Sequence, residues 1–238
     1  REVYDRPVYA LGILPGRDEG SMYAANAGRS LKTLVSETDA VLLVDNDAWH
    51  TSGESVGEAF DAINQRVARR VGLLLAAGEA TEGVGESVVD SSEVINTLRD
   101  GGIAALGYAS AAASEDAGEN VNAITSVTRN ALLTGTSLPD ATEAEAALLI
   151  VAGEPERISR KGVEHARTWL EEELDSMQVR GGDVPMASDR LAALVLLGGV
   201  ERSPRVQAFM DRARAASEEI EHEDSKEALT SDELDDLF

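Results

Sequence analysis

The feature that most constrains the fold is a pair of short apolar runs separated by a helix-forming segment. The first run covers residues 7–14 (PVYALGIL), and the second covers residues 40–44 (AVLLV) and leads into residues 45–47 (DND). Apolar runs of this length are typical of strands buried on both faces of a parallel sheet. Residues 22–35 between them are rich in Ala and Leu and predict a helix, so the segment predicts a βαβ unit. Ligand-contacting residues of such sheets lie on loops at the carboxyl ends of the strands.

A long amphipathic helix is predicted over residues 54–77, after the βαβ unit. Its apolar side chains recur three and four residues apart and predict one buried face, made of Val56, Phe60, Ile63, Val67, Val71 and Leu74. Three arginines, Arg66, Arg69 and Arg70, are predicted to lie on its other faces. The Gly-rich residues 78–85 that follow are the best candidate for a linker.

The rest of the chain predicts a second α/β unit and an acidic tail. Residues 177–184 and 191–197 are predicted to pair like a hairpin. An acid-rich tail over residues 217–238 is predicted to be disordered. We therefore expect an α/β fold in four parts: the end of a parallel nucleotide-binding sheet, a long core helix, a mixed α/β carboxyl-terminal domain, and the tail, with boundaries at 1–53, 54–77, 78–216 and 217–238.

Charge excludes several classes of function. The chain has 44 acidic and 21 basic residues and a formal net charge of -23. A polyanion of this kind repels phosphate, so neither nucleic acid nor an anionic membrane is an expected partner. The acids are spread along the chain, which favours adaptation to a high-salt cytoplasm over a nucleic-acid mimic or a calcium-binding protein. There is no cysteine, which excludes disulfides, thiolate metal sites and cysteine nucleophiles. No apolar run is long enough for a membrane span and no signal peptide is visible, so the expected location is cytoplasmic.

Two motifs carry a resemblance to a known family. The first is residues 37–49 (ETDAVLLVDNDAW) followed by Phe60 and Asn64, and the second is residues 88–98 (VVDSSEVINTL). They resemble, respectively, the strand and core helix of tubulins and FtsZ, and the loop and helix that these proteins insert into a neighbouring subunit's nucleotide site. Further stretches look like the archaeal CetZ group in particular: residues 10–20, 163–172 and 179–185. The resemblance follows almost the full chain in order.

The resemblance implies a guanine and ribose site. Glu19 matches the family's ribose-contacting acid, and Asn46 matches its guanine-contacting Asn. Phe60 and Asn64 lie four residues apart on one helical face and resemble the ring that stacks on guanine and the amide that reads its edge. From the residues alone, the favoured readings are a solvated loop acid at Glu19 and a core residue at Phe60. Tyr23 stands where FtsZ commonly has a phosphate-contacting Arg, so no phosphate contact is expected from this loop.

Asp90 and Glu93 are the predicted catalytic residues. In the family, acids at these places cross the subunit interface and polarise the water that attacks the γ-phosphate. The same Asp-Ser-Ser-Glu sequence also reads as a capping box with Asp90 as the N-cap, and both readings can hold together. Val88 departs from the Asn that the family usually carries there.

The Gly-rich phosphate loop of the family is not present in these 238 residues, and we expect it upstream of Arg1. The resemblance implies part of a GTP-binding, GTP-hydrolysing protein that polymerises head to tail and acts in cell shape. GTP or GDP with Mg²⁺ would be its ligands, without a metal site of the protein's own, and this chain alone is expected to be inactive. The alternatives are a non-hydrolysing structural or binding protein of the same fold and an unrelated small-molecule-binding α/β protein.

The acidic tail has two readings. It is either a solvated segment or a short helix that docks on a protein partner, and the second reading uses the apolar side chains Leu229, Leu234, Leu237 and Phe238.

Overall fold

The computed structural model describes residues 5–49, 56–79, 89–141, 143–176 and 178–230, with the backbone alone at 56–59 and 223–230. The strands are β1 (Tyr9–Leu14), β2 (Ala40–Asp45), β3 (Ile103–Ala112), β4 (Glu143–Gly153), β5 (Val179–Pro185) and β6 (Arg190–Arg202). The helices are α1 (Ser21–Glu37), α2 (Val56–Gly78), α3 (Ser91–Thr97), α4 (Val121–Leu133), α5 (Arg160–Leu174) and α6 (Pro204–Thr230).

The strands form one sheet in the order β1-β2-β3-β6-β4-β5. Strands β1, β2 and β3 are mutually parallel, β4 and β5 are parallel, and β6 runs antiparallel to both β3 and β4. The predicted βαβ unit is therefore confirmed, and the strands of the predicted mixed α/β domain continue the same sheet. The two parts join where Val41 and Leu42 of β2 pair with Ile103 and Ala104 of β3.

The predicted burial of the first strand on both faces is wrong, because β1 is an edge strand of the described sheet in which Leu11 is 44% and Ile13 46% exposed.

The predicted hairpin between residues 177–184 and 191–197 is wrong. Strand β4 lies between β5 and β6, and β5 pairs with β4 in parallel, from Ala147↔Val179 to Gly153↔Pro185. A parallel neighbour requires a crossover connection, which α5 provides. Strand β4 is buried over almost its whole length, so it occupies a central position with a partner strand on each side.

Helices cover both faces of the sheet. Alternate residues of β4 point to opposite faces, as expected for a strand. Leu149 faces a core shared with α1, α4, α5 and α6, whereas Leu148 faces a core shared with α2 and α3. The fold is thus a sheet between two helical layers, and this explains why its central strands contain so few polar residues.

Helix α2 lies where the sequence predicts it, but one of its faces was assigned incorrectly. Arg70 is only 4% exposed and lies on the buried face, together with Ile63, Val67, Leu73 and Ala77. Its predicted position on another face is wrong, because the buried positions are spaced four, three, three and four residues apart and include residue 70.

The tail predicted to be disordered from residue 217 is helical as far as Thr230, because α6 continues to that residue. Ala216 is buried with Ala24 and Ala25 of α1, and Ile220 packs against the same cluster. This apolar contact stabilises the helix beyond the predicted boundary. Residues 231–238, with three of the four apolar tail residues, lie outside the described residues, as does the side chain of Leu229.

The contact between α1 and α6 gives a test of this packing. A Cβ atom added at Gly28 of α1 would lie 2.6 Å from Cβ of Ala213 on α6, which is closer than two non-bonded carbon atoms can approach. We expect Gly28→Ala to lower the free energy of unfolding by about 1–3 kcal/mol, because overpacking forces the helices apart. Denaturant titration in concentrated KCl measures this change.

Gly72→Ala is the matched control, since a Cβ at Gly72 of α2 meets no atom within 4 Å. Helix propensity alone should raise the stability of that variant by up to about 1 kcal/mol. Equal effects of the two substitutions would show that α1 and α6 do not pack as closely as described.

Candidate functional site

The loops that follow β1 and β2 lie side by side at the carboxyl ends of these parallel strands. Glu19 lies in a short 3-10 turn after β1, and its Oε1 accepts the backbone N–H of Gly16 at 2.7 Å. The same oxygen accepts Nδ2 of Asn46, the first residue after β2, at 3.1 Å. The register from Tyr9↔Ala40 to Leu14↔Asp45 brings the two loops side by side. The structure therefore brings two of the predicted site residues into direct contact.

Only one of the two polar atoms of the Asn46 side chain has a hydrogen-bond partner among the described residues. The residue is 8% exposed, and its Oδ1 has no hydrogen-bond partner among the described residues. Because Nδ2 donates to a carboxylate, the amide orientation is set by that bond and leaves the carbonyl oxygen as the free atom. A buried acceptor without a donor costs about 1–3 kcal/mol. Oδ1 of Asn46 can therefore accept a hydrogen bond from a donor that is not among the described residues, such as a group on a bound ligand.

Phe60 and Asn64 lie on the exposed surface of α2, four residues apart. Phe60 is 40% exposed, which rules out the alternative that it is a core residue. Within the described part of the chain, no hydrogen bond joins Asn64 to Glu19 or Asn46. The two pairs of predicted base-site residues thus come from separate elements, one from strand ends and one from the core helix.

Arg70 connects these elements, and the sequence reasoning missed it. Its guanidinium carbon lies 4.3 Å from the ring centroid of Trp49, the residue after the short 3-10 turn that follows β2. Its nitrogen atoms donate to the carbonyl oxygens of Arg66 at 2.9 Å, Leu106 on β3 at 3.3 Å and Gly135 after α4 at 2.5 Å. Burial, with the nearby charge of Arg66, lowers the pKa of Arg70 to about 10, so the side chain remains protonated at neutral pH.

A signal for Arg70 was present in the sequence. It stands three residues after Val67 and three before Leu73, on the apolar stripe itself. A charged residue in such a stripe is buried only when it is paired or hydrogen-bonded, so its position indicates partners elsewhere in the chain.

The predicted catalytic acids lie at the start of α3. Asp90 is the N-cap, and its Oδ1 accepts the hydroxyl of Ser92 at 2.5 Å and the backbone N–H groups of Ser92 at 2.7 Å and Glu93 at 3.2 Å. The predicted N-cap is therefore confirmed. These hydrogen bonds, the one from the Ser92 hydroxyl first, hold the pKa of Asp90 below its usual value. Val88 lies outside the described residues.

Glu93 has the opposite electrostatic environment. It is half-buried, and burial raises the pKa of its carboxyl above the usual value; the neighbouring charge of Asp90 adds to the rise, and Arg180 opposes it. One carboxyl of the pair is thus held ionised and exposed, and the other is easier to protonate. Environments that separate two pKa values are common at catalytic sites.

The acids and the Glu19–Asn46 pair lie toward opposite edges of the sheet. Val89, next to Asp90, donates its N–H to the carbonyl oxygen of Asp183 on β5 at 3.4 Å. Strand β5 is one edge, whereas Glu19 follows β1 at the other edge. The five interstrand spacings between these edges, of about 4.8 Å each, correspond to roughly 24 Å. This separation places the acids far from Glu19 within one chain.

Among the described residues, no group of three or more His, Asp or Glu side chains is arranged to hold a metal ion. In the same part of the chain, no helix combines the length and the apolar character needed to cross a membrane.

Comparison with solved structures defines the class of the fold. An FtsZ dimer of M. jannaschii superposes with a TM-score of 0.63 at 18% identity, covering 83% of this chain and 56% of that one. The chain therefore has a tubulin/FtsZ-like fold.

Sequence comparison defines the family. Residues 53–215 match the family described as tubulin-like CetZ, C-terminal domain. Tubulin-like protein CetZ2 of Haloferax volcanii is 69% identical over 99% of this chain and 66% of its own length. A structure described as a GTPγS-bound protofilament of that protein has a TM-score of 0.84 at 67% identity, covering 92% of this chain and 64% of that one. The chain belongs to the CetZ family, and it spans about two thirds of the length of these relatives.

The relatives from Haloferax volcanii support the prediction of adaptation to high salt.

Replacing Arg70 tests the connection between α2, β3 and the loop after β2. We expect Arg70→Met to lower the free energy of unfolding by about 2–4 kcal/mol, because the carbonyl oxygens of Leu106 and Gly135 lose their donor. Chemical denaturation measures the loss, and fluorescence of Trp49 reports the loss of the stacked cation.

Arg69→Met is the control, because Arg69 is exposed and its guanidinium carbon lies 5.9 Å from the ring centroid of Tyr108. Its effect should stay below about 1 kcal/mol. If Arg70→Met and Arg69→Met had the same free energy of unfolding, the buried hydrogen bonds of Arg70 would not contribute to stability.

Proposed function

We propose that this chain supplies the guanine- and ribose-binding side chains and the catalytic acids of a GTP-binding, GTP-hydrolysing cytoskeletal protein that polymerises head to tail. The observation that carries the proposal is the buried, unpartnered Oδ1 of Asn46 beside Glu19. The CetZ2 relative, whose structure is described as a GTPγS-bound protofilament, supports both the ligand and the assembly.

Guanine has the chemistry that the free acceptor of Asn46 requires. Its pairing edge presents adjacent N–H donors, whereas adenine has an acceptor nitrogen at the central position of that edge. Glu19 holds Nδ2 of Asn46, which leaves Oδ1 as the atom that would accept from a guanine N–H. The remaining carboxylate oxygen of Glu19 would accept from a ribose hydroxyl. The exposed ring of Phe60 would stack on the base, which contributes about 1–3 kcal/mol, and Asn64 would read its edge.

Asp90 and Glu93 would act on a nucleotide bound to the adjacent subunit. Their position toward the opposite edge from Glu19 and Asn46 suits a head-to-tail interface, in which different surfaces of identical chains meet. The acids would position and polarise the attacking water, a contribution that is typically 10²–10⁴-fold. Mg²⁺ would arrive with the phosphates and bind mainly to them and to water.

A cytoskeletal role in cell shape and a cytoplasmic location follow from the family as further proposals. The same holds for a partner protein at the acidic tail. A non-hydrolysing structural protein is the alternative function, and the hydrolysis experiment below distinguishes the two.

Base recognition is tested first, in the longer protein to which we propose this chain belongs. We expect Asn46→Ala to weaken GTP binding roughly 5–150-fold, because it removes the acceptor, a loss of about 1–3 kcal/mol. Isothermal titration in concentrated KCl measures the affinity. Asn122→Ala, at an exposed position of α4, is the control and should bind GTP normally. Equal competition by ATP and GTP in the wild type would contradict the guanine assignment.

The acids are tested in the assembled protein. We expect Glu93→Ala to slow phosphate release by about 10²–10⁴-fold while GTP binding persists. Glu201→Ala, at an exposed position of β6, is the control and should hydrolyse normally. Unchanged release in Glu93→Ala would favour the non-hydrolysing alternative or another catalytic group.

Mixing two defective variants tests action across the interface. At a GTP concentration that does not saturate Asn46→Ala, each variant alone should release phosphate slowly. In mixed polymers, a Glu93→Ala subunit with an intact base site meets an Asn46→Ala subunit with intact acids, so part of the activity should return. No recovery in mixed polymers would indicate that the acids act within their own chain.

A further inference from the structure

We propose that Arg205 and Arg212 of helix α6 are positioning residues for the side chains that contact base and ribose. This inference rests on the proposed function. It adds that the carboxyl-terminal helix holds one half of the nucleotide site in place.

Arg205 contacts the end of β2. Its Nε lies 2.9 Å from Oδ2 of Asp45, a buried carboxylate whose Oδ1 accepts the N–H of Asp47 at 3.0 Å. Asp45 immediately precedes Asn46 in the chain. The ion pair therefore fixes the backbone from which the amide of Asn46 projects.

Arg212, two turns further along α6, contacts both loops at once. Its Nη2 donates to the carbonyl oxygen of Pro15 at 2.9 Å, and its Nη1 lies 3.9 Å from Oδ2 of Asp47. Pro15 lies in the loop after β1, and Asp47 in the loop after β2. Arg17 strengthens the link, because its backbone N–H donates to Oδ1 of Asp47 at 3.0 Å and its Nε lies 3.3 Å from Oδ2.

This series of contacts ends at Glu19 and Asn46, the side chains that we propose contact ribose and base. The loop that Arg212 holds at Pro15 continues through Gly16, whose N–H donates to Glu19. The loop that Arg205 holds at Asp45 continues through Asn46, which donates to the same carboxylate oxygen. Two contacts from one helix thus add to the β1–β2 register and to the direct hydrogen bond in holding Glu19 and Asn46 in place.

Helix α6 is held on the fold by apolar packing, through Phe209 and Ala213 into the main core and through Ala216 onto α1. Arg205 is not part of this apolar cluster, whereas the guanidinium carbon of Arg212 lies 5.5 Å from the ring centroid of Phe209.

Removing Arg205 leaves Asp45 buried near Asp47 without its counterion, which favours movement of the loop toward water. The expected effect therefore falls on ligand affinity more than on folding.

The test compares Arg205→Gln and Arg212→Gln in the longer protein with Arg214→Gln, Arg205→Lys and the wild type. Titration with GTPγS should show a loss of affinity of roughly tenfold for each Gln variant, equivalent to about 1.4 kcal/mol. In steady-state hydrolysis, KM should rise while kcat per assembled subunit stays the same, because the acids on α3 are untouched. Arg205→Lys keeps the charge beside Asp45 and should recover most of the affinity.

Arg214 supplies the matched control, since it lies on the same helix and pairs with Asp211 at 3.4 Å on the exposed surface. Arg214→Gln should bind GTPγS like the wild type. Equal affinity of Arg205→Gln, Arg212→Gln and wild type would overturn the inference, as would a fall in kcat without a rise in KM.

Variants that unfold are recognised by their denaturation midpoints, and the Arg205→Lys comparison then decides the outcome. Normal affinity of a folded Arg205→Lys supports the inference, and affinity well below wild type overturns it. If Asn46→Ala binds GTP normally, the proposed function itself fails. If Asn46→Ala weakens binding and the folded arginine variants do not, only the positioning role fails.

Discussion

The buried guanidinium of Arg70 is the interaction on which the arrangement of the other elements depends. One cation from α2 stacks on Trp49 and donates to backbone carbonyl oxygens of β3 and of the turn after α4. No carboxylate is needed, because carbonyl dipoles and an aromatic face satisfy the charge. A lysine cannot replace it, since only the planar guanidinium both stacks and donates in several directions. The core helix, the sheet and the loop that carries Asn46 are thereby held in one geometry.

This rigidity has a functional consequence for a divided site. Glu19 and Asn46 lie together at one edge of the sheet, while α3 presents Asp90 and Glu93 toward the other. Under the proposed function, each chain completes the site of its neighbour, so hydrolysis depends on assembly. Two half-sites on neighbouring chains can align only if the side chains of each half-site are held in place within their own chain. Arg70 on α2 and the arginines of α6 contact the end of β2 and the loop after it from helices on opposite faces of the sheet.

The strongly acidic composition explains why the contacts that hold the end of β2 and the loop after β1 are short, buried or directed to carbonyl oxygens. In concentrated salt, the screening length falls to about 3 Å, so exposed and widely spaced charges interact weakly. The contacts that remain effective are short or buried, as between Arg205 and Asp45 at 2.9 Å, or directed to carbonyl oxygens, as from Arg212 to Pro15. Arg205 and Arg212, which contact the end of β2 and the loop after β1, follow this pattern. Acids such as Glu201 remain on the exposed surface.

Local patterns in the sequence were sufficient for the existence of strands β1 and β2, the burial of β2, the long helix α2 and the N-cap at Asp90, because each depends on residues close together in the chain. The motifs also identified the fold and the family, and the contact between Glu19 and Asn46 agrees with both being site residues. The tertiary structure decided the position of β4 between β5 and β6, the burial of Arg70 and the approach of Arg205 to Asp45. The physical reason is that periodicity reports whether a side chain is buried, but not which distant residue it meets. Partners that are 160 residues apart are selected only when the whole core packs.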